Sequence, residues 1–132
     1  MGFAMGQSKI TFETVREIGL TLPGVEAGTR YGQPALLLGG VLLACLPAHR
    51  SAEPDSLVVR VDFEQRAALL EEVPGTYYLT PHYMNHPVVL ARLSRIGLDE
   101  VRDLLRMALR IVTLAAKRPA VKRGKRGTSS RR

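Results

Sequence analysis

Cysteine is almost missing: Cys45 is the only one in 132 residues. No internal disulfide can brace the chain, which fits a reducing compartment. The opening residues, MGFAMGQSKI, lack a basic start followed by an apolar run. No export signal is read there, and a cytoplasmic location is expected. No hydrophobic run reaches the roughly 20 residues of a membrane span. The longest uncharged stretch, Tyr31 to Ala48, is split by Gly39-Gly40 and has prolines near both ends. A β-hairpin is expected there, and no membrane partner. Catalytic signatures are missing too. Ser8, Ser51, Ser56 and Ser94 have no nucleophile-elbow context. Glu71-Glu72 and Asp99-Glu100 fall near expected helix ends, where the helix dipole accounts for them. Gly28 and Gly32 form G-x-x-x-G without the Lys-Ser/Thr of a phosphate loop. No catalytic residue and no cofactor are expected.

What is present is a division of charge. Of 19 Lys and Arg residues, eight lie between Lys117 and Arg132, where there is no acid. Residues 1–116 keep 11 basic residues against 12 acidic ones. A nearly neutral domain with a cationic tail is therefore expected. The tail, with few apolar residues and much like charge, should be disordered when free. Its Lys117, Arg118, Lys122, Arg123, Lys125 and Arg126 are candidate phosphate contacts, sequence-independent and salt-dependent. No aromatic lies among those last sixteen residues, so stacking cannot assist them. Residues 1–10 are assigned to a flexible N-terminus, 11–116 to one domain and 117–132 to the tail.

Helical spacing of Phe12, Val15, Ile18 and Leu22 predicts a helix over Thr11 to Leu22, with Thr11 as N-cap and Pro23-Gly24 as stop. "GTRYG" and "PALLL" read as one interrupted strand, with Pro34 limiting its pairing. "VLLACL" and "SLVVRV" are strands on either side of an exposed loop. "DFEQRAALLEEV" is a helix with Asp62 and Gln65 at capping-box spacing. "TYYL" and "VVLARL" are short strands. "LDEVRDLLRMALRIVTLAA" is the longest helix, with Asp99 as its N-cap. The order α-β(3)-α-β(2)-α predicts an α+β fold, an antiparallel sheet packed against helices.

The loop between the last two strands, "TPHYMNHP", holds His82 and His86. Four residues apart on a helix, they would share a face and could bind one metal ion. Pro81 and Pro87 bracket them, and a zinc site wants three or four ligands, so no metal site is expected. The loop is either a connector or a binding element in which His82 and Tyr83 bond to and stack on a planar group. Arg30 and Tyr31 in "EAGTRYG" are either a turn or part of the same surface. Arg60, between Val59 and Val61, must face opposite to both, and Arg92 in "VVLARL" is placed likewise. If their strands are neighbours, the two arginines could form a cationic patch near His82.

In this order, "LPGVEAGTRYGQPAL", Gly-Gly before an apolar strand, "LVVRVDFEQRAALLE" and "YYLTPHY" resemble the MmcQ/YjbR family, from about Leu22 to Val112. The matching positions are Pro23, Gly24, Glu26, Gly28, Tyr31, Gly32, Pro34, Arg60, Asp62, Pro81, His82 and Tyr83. The resemblance implies a small α+β domain, similar to CyaY-like and secretion-chaperone-like folds, and a DNA-binding role. The chain departs from it in the Gly-Gly hairpin, where Leu37, Val41 and Cys45 stand in place of basic residues. The expected function is non-enzymatic nucleic-acid binding, DNA favoured, by a bacterial monomer using Arg30, Tyr31, Arg60, His82, Tyr83 and Arg92. The alternatives are a small-molecule-binding or accessory domain, or a protein-interaction module using the uncharged hairpin 36–46.

Overall fold

The computed structural model describes residues 10–117. The tail cations from Arg118 onward, and most of the N-terminal segment, lie outside the described residues. Ile10, assigned above to a flexible end, is instead buried in the main core.

Among the described residues, three α-helices, α1 (Phe12–Leu20), α2 (Phe63–Glu72) and α3 (Leu98–Lys117), accompany six strands. The strands are β1 (Val25–Arg30), β2 (Gln33–Leu38), β3 (Val41–Cys45), β4 (Ser56–Arg60), β5 (Tyr77–Tyr78) and β6 (Val88–Arg92). They form one antiparallel sheet in the order β1-β2-β3-β4-β6-β5. The α+β class is as the sequence predicts. The interrupted first strand, however, is two strands. Tyr31 and Gly32 both have positive φ, 54° and 78°, and reverse the chain so that Arg30 pairs with Gln33. A two-residue turn of this hand matches the twist of the strands it joins. The second hairpin turns at Gly39 and Gly40, with φ of 58° and 83°, and Leu38 faces Val41.

Alternation along the strands sends side chains to two faces. Leu57, Val59, Val89 and Ala91 join Val15 of α1 and Val101, Leu104, Leu105 and Ala108 of α3 in the main core. Gly19 lets α1 approach closely; a Cβ there would run into a Leu36 methyl. Asp62 caps α2 by accepting from the Gln65 N–H at 2.7 Å. The capping box is only half made, since the Gln65 Oε1 finds no partner. Asp99 does not cap α3. The helix begins at Leu98, which puts Asp99 in the first turn, where it accepts from Arg102 at 3.1 Å.

The opposite face of the sheet has a smaller cluster: Ala35, Cys45, Val58, Val88 and Leu90, with Tyr83 laid over it. Among the described residues, no α-helix contributes to this cluster. Two loops do, 46–55 and 79–87. The hairpin 36–46 is divided between the two faces: Leu36, Leu43, Ala44 and Cys45 are buried, and Val41 is its exposed large apolar side chain. Among the described residues, no helix is long and apolar enough to cross a membrane.

Candidate functional site

The two loops hold the chain's three histidines, and the fold gathers them. His49 comes from loop 46–55; His82 and His86 come from loop 79–87. Thr80 precedes a single 3₁₀ turn, Pro81–Tyr83, because Pro81 suits the first position of a turn and lacks only an N–H that would have no partner there. The His49 and His82 rings stack at 3.6 Å between centroids, 8° from parallel. The Tyr83 ring meets His82 edge-on at 4.8 Å, and His86 lies 6.3 Å from His82, tilted by 43°. In the stacked pair, in-plane lone pairs run in parallel planes and cannot converge on one ion. Among the described residues, no group of three or more His, Cys, Asp or Glu is placed to hold a metal.

Hydrogen bonds fix this arrangement. The Ser51 backbone N–H donates to His49 Nδ1 at 3.1 Å, so the neutral ring carries its proton on Nε2. The Ser51 and Thr80 hydroxyls bond at 2.8 Å and join the two loops. From α2, Arg66 donates to the carbonyls of Met84 (3.0 Å), His86 (2.8 Å) and Val88 (3.3 Å). Its guanidinium also lies 4.7 Å from the Phe63 ring centroid. Arg66 is thus a positioning residue for the histidine loop.

Beneath the loops is a cavity of about 650 Å³, lined by Arg30, Tyr31, Cys45, His49, Arg60, His82, Tyr83 and His86 among others. Its volume lies within the ligand-pocket range. No carboxylate lines it. Arg30 reaches the Gly40 carbonyl at 3.0 Å. Arg60 behaves differently, because its Nε is buried without a hydrogen-bond partner. Tyr31, at the turn, is 81% exposed. Burial pushes the Cys45 thiol up to about 11, against an opposing pull from Arg30, so it stays protonated at neutral pH. His82 is held below the usual histidine value, first by lost hydration and then by its two histidine neighbours. Burial raises Tyr83, opposed by a backbone hydrogen bond at His49.

Five of the six body residues singled out from sequence, Arg30, Tyr31, Arg60, His82 and Tyr83, line this one cavity. Arg92 does not, and the expected patch with Arg60 is not made. Their strands are indeed neighbours, but Arg60 pairs with Val88 while Arg92 pairs with Ser56, at the other end of the ladder. Arg92 forms a two-armed ion pair with Glu53, both contacts 2.9 Å. It also donates to the Gly75 carbonyl at 3.1 Å and lies 4.4 Å from the Tyr78 ring centroid. It fastens the β3–β4 loop rather than serving the cavity. Sequence reasoning missed His49, Cys45 and Arg66 as parts of the site. His49 meets a ring 33 positions further along the chain, and no local spacing signals that contact.

No family model matches the chain. Over 51 residues it is 47% identical to uncharacterised proteins of Mycobacterium tuberculosis and Mycobacterium bovis. The match covers 38% of this chain and 37% of theirs, so little more than a third of their length is compared. In structure the chain is similar to a Deinococcus radiodurans protein with a DUF419 domain, at a TM-score of 0.66 and 19% identity, over 83% of each chain. It shares the fold of that DUF419 domain. At this identity the likeness concerns architecture, a small α+β domain, and leaves function to be argued from the site.

Proposed function

We propose that the chain is a non-enzymatic binding protein whose outer-face cavity holds phosphate-bearing aromatic groups, with nucleic acid, DNA first, as its partner. It acts as a cytoplasmic monomer, and its basic tail adds affinity that does not depend on sequence. The MmcQ/YjbR resemblance belongs to the same proposal. One observation carries it: two arginines, three histidines and two tyrosines line the cavity with no carboxylate among them. In a body with 11 basic and 12 acidic residues, such a segregation favours an anion at this place. The buried, unpartnered Arg60 Nε is the kind of donor a ligand oxygen satisfies. The acids lie elsewhere, as with Glu13, Glu17, Glu71 and Asp103 on the helices.

Binding of labelled DNA to the full chain, followed over a series of salt concentrations, tests this. The double substitution Arg30→Gln with Arg60→Gln should weaken binding at every ionic strength. Wild-type affinity in that variant would remove the cavity from the function.

The cavity's partly apolar lining, Leu42, Val58 and Val88, favours a second reading, a free small anion with an apolar body. A thermal-shift screen with phosphorylated and carboxylated metabolites separates the two. A metabolite that raises the melting temperature, in a protein that ignores DNA, would replace the first reading with the second.

A further inference from the structure

We infer that the cavity seats one unstacked base of a single strand, so that the chain prefers single-stranded nucleic acid to duplex. This rests on the nucleic-acid reading above and adds the form of the polymer to it. A base in a duplex is covered on both faces by its neighbours and shows only its edges in the grooves. Reading such edges calls for a projecting element that carries donors. Here the Gly39-Gly40 hairpin has none: its tip bears Leu38 and Val41. The exposed arginines of α3 do not supply one either. Arg102 is paired with Asp99 at 3.1 Å, and Arg106 and Arg110 share their groove with Asp62 and Asp103.

The cavity offers the opposite geometry. It is concave, about 650 Å³, and has an apolar floor with cationic side chains in its wall. A free base could lie against Val41 and Leu42, the less buried apolar side chains of the lining, while the phosphates on either side of it meet Arg30 and Arg60. One wall already stacks planar rings, as the His49–His82 pair does at 3.6 Å. At the turn between β1 and β2, Tyr31 is 81% exposed with a φ of 54°. A bulky side chain rarely occupies that backbone region, where Gly or Asn sits at less cost. A bare aromatic face beside a cationic cavity is a stacking platform for the next base, and stacking of this kind tolerates any sequence.

The test uses the full chain and fluorescence anisotropy. The probes are a labelled dT 12-mer, an rU 12-mer, a strand of equal length made only of abasic sugar-phosphate, and a blunt duplex. The expected result is binding of dT or rU about tenfold tighter than the abasic strand or the duplex, the fold-change of roughly one stacked base. The tighter of dT and rU identifies the source. Tyr31→Asn keeps a residue suited to the turn's positive φ and removes the ring. It should lose about that tenfold on the base-bearing strands and nothing on the abasic strand. Arg60→Gln should weaken every single strand. Equal affinity for abasic and base-bearing strands, or an unchanged Tyr31→Asn, would overturn base capture while nucleic-acid binding stood. No binding to any probe would overturn both readings together.

Discussion

At the scale of single residues, Arg60 and Arg92 show how little a shared strand position settles. Both alternate onto the outer face of the sheet, yet Arg92 is satisfied by Glu53 and backbone carbonyls while Arg60 keeps a buried nitrogen unpaired. The Arg60 side chain is only half-buried, and its one buried nitrogen gives up no hydrogen bond on replacement. Arg60→Gln should therefore leave the melting temperature unchanged or raise it while weakening DNA binding, as paired calorimetry and anisotropy would show. A fall of several degrees in melting temperature would mean that Arg60 is structural. The histidines add a dependence on pH. His82 has a folded-state value below the ordinary 6.5, so the unfolded chain takes up its proton first. The contribution of His82 is then whole above about 6.5 and is lost as pH falls from there through the lower folded-state value. The Glu53 carboxyl, lowered by its hydrogen bond from Arg92, gives up its contribution only in the more acidic range where it protonates. Melting temperatures should thus fall between pH 7.5 and 5.5, and less so in His82→Asn. An anion in the cavity favours the protonated ring, so ligand affinity should rise over the same interval.

At the scale of elements, the site depends on parts that do not line the cavity. α2 buries no residue completely, and its chief product is Arg66, which grips three carbonyls of the histidine loop. Arg66→Ala should lower stability by about 1.5–3 kcal/mol, the value of a hydrogen bond to a charged group. It should also speed amide exchange in residues 84–88 more than in β4. Uniform exchange changes across the sheet would contradict a local clamp. The elements themselves were largely legible in the sequence. Helices followed from the spacing of Val15 or Leu104, and the second hairpin from Gly39-Gly40. The first hairpin was not legible, because its turn places Tyr31 where Asn or Gly usually sits, so the run from Gly28 to Leu38 reads as one strand. The site was partly legible. Arg30, Tyr31, Arg60, His82 and Tyr83 stand in motifs or strand positions that draw notice. His49 and Cys45 become neighbours of His82 and Tyr83 only when the sheet and its two loops close, and no local period encodes that closure.

At the scale of the whole molecule, two sources of cationic charge with different physics are joined in one chain. The cavity groups few charges at fixed positions against apolar walls, where salt screens them weakly. The tail spreads eight cations over sixteen residues. On the proposed reading each phosphate the tail neutralised would release counterions, so its share of the affinity would decline steeply with salt, with a logarithmic slope of about −0.9 per contact on duplex and −0.7 on single strands. The two contributions should therefore separate on a plot of log affinity against log salt concentration. Deletion of Lys117 to Arg132 should flatten that plot and leave a weaker, less salt-sensitive residual. Arg30→Gln with Arg60→Gln in the full chain should instead lower the line and reduce the slope by no more than two phosphate contacts' worth, about 0.7 each on a single strand, well short of the change from losing the tail. If the shortened chain binds DNA with the full chain's slope, the tail does not contact phosphate. If the double variant lacks any vertical displacement, affinity comes from the tail alone and the cavity serves another ligand. The crossing of these two effects in one titration series weighs a sequence feature and a structural one on the same scale.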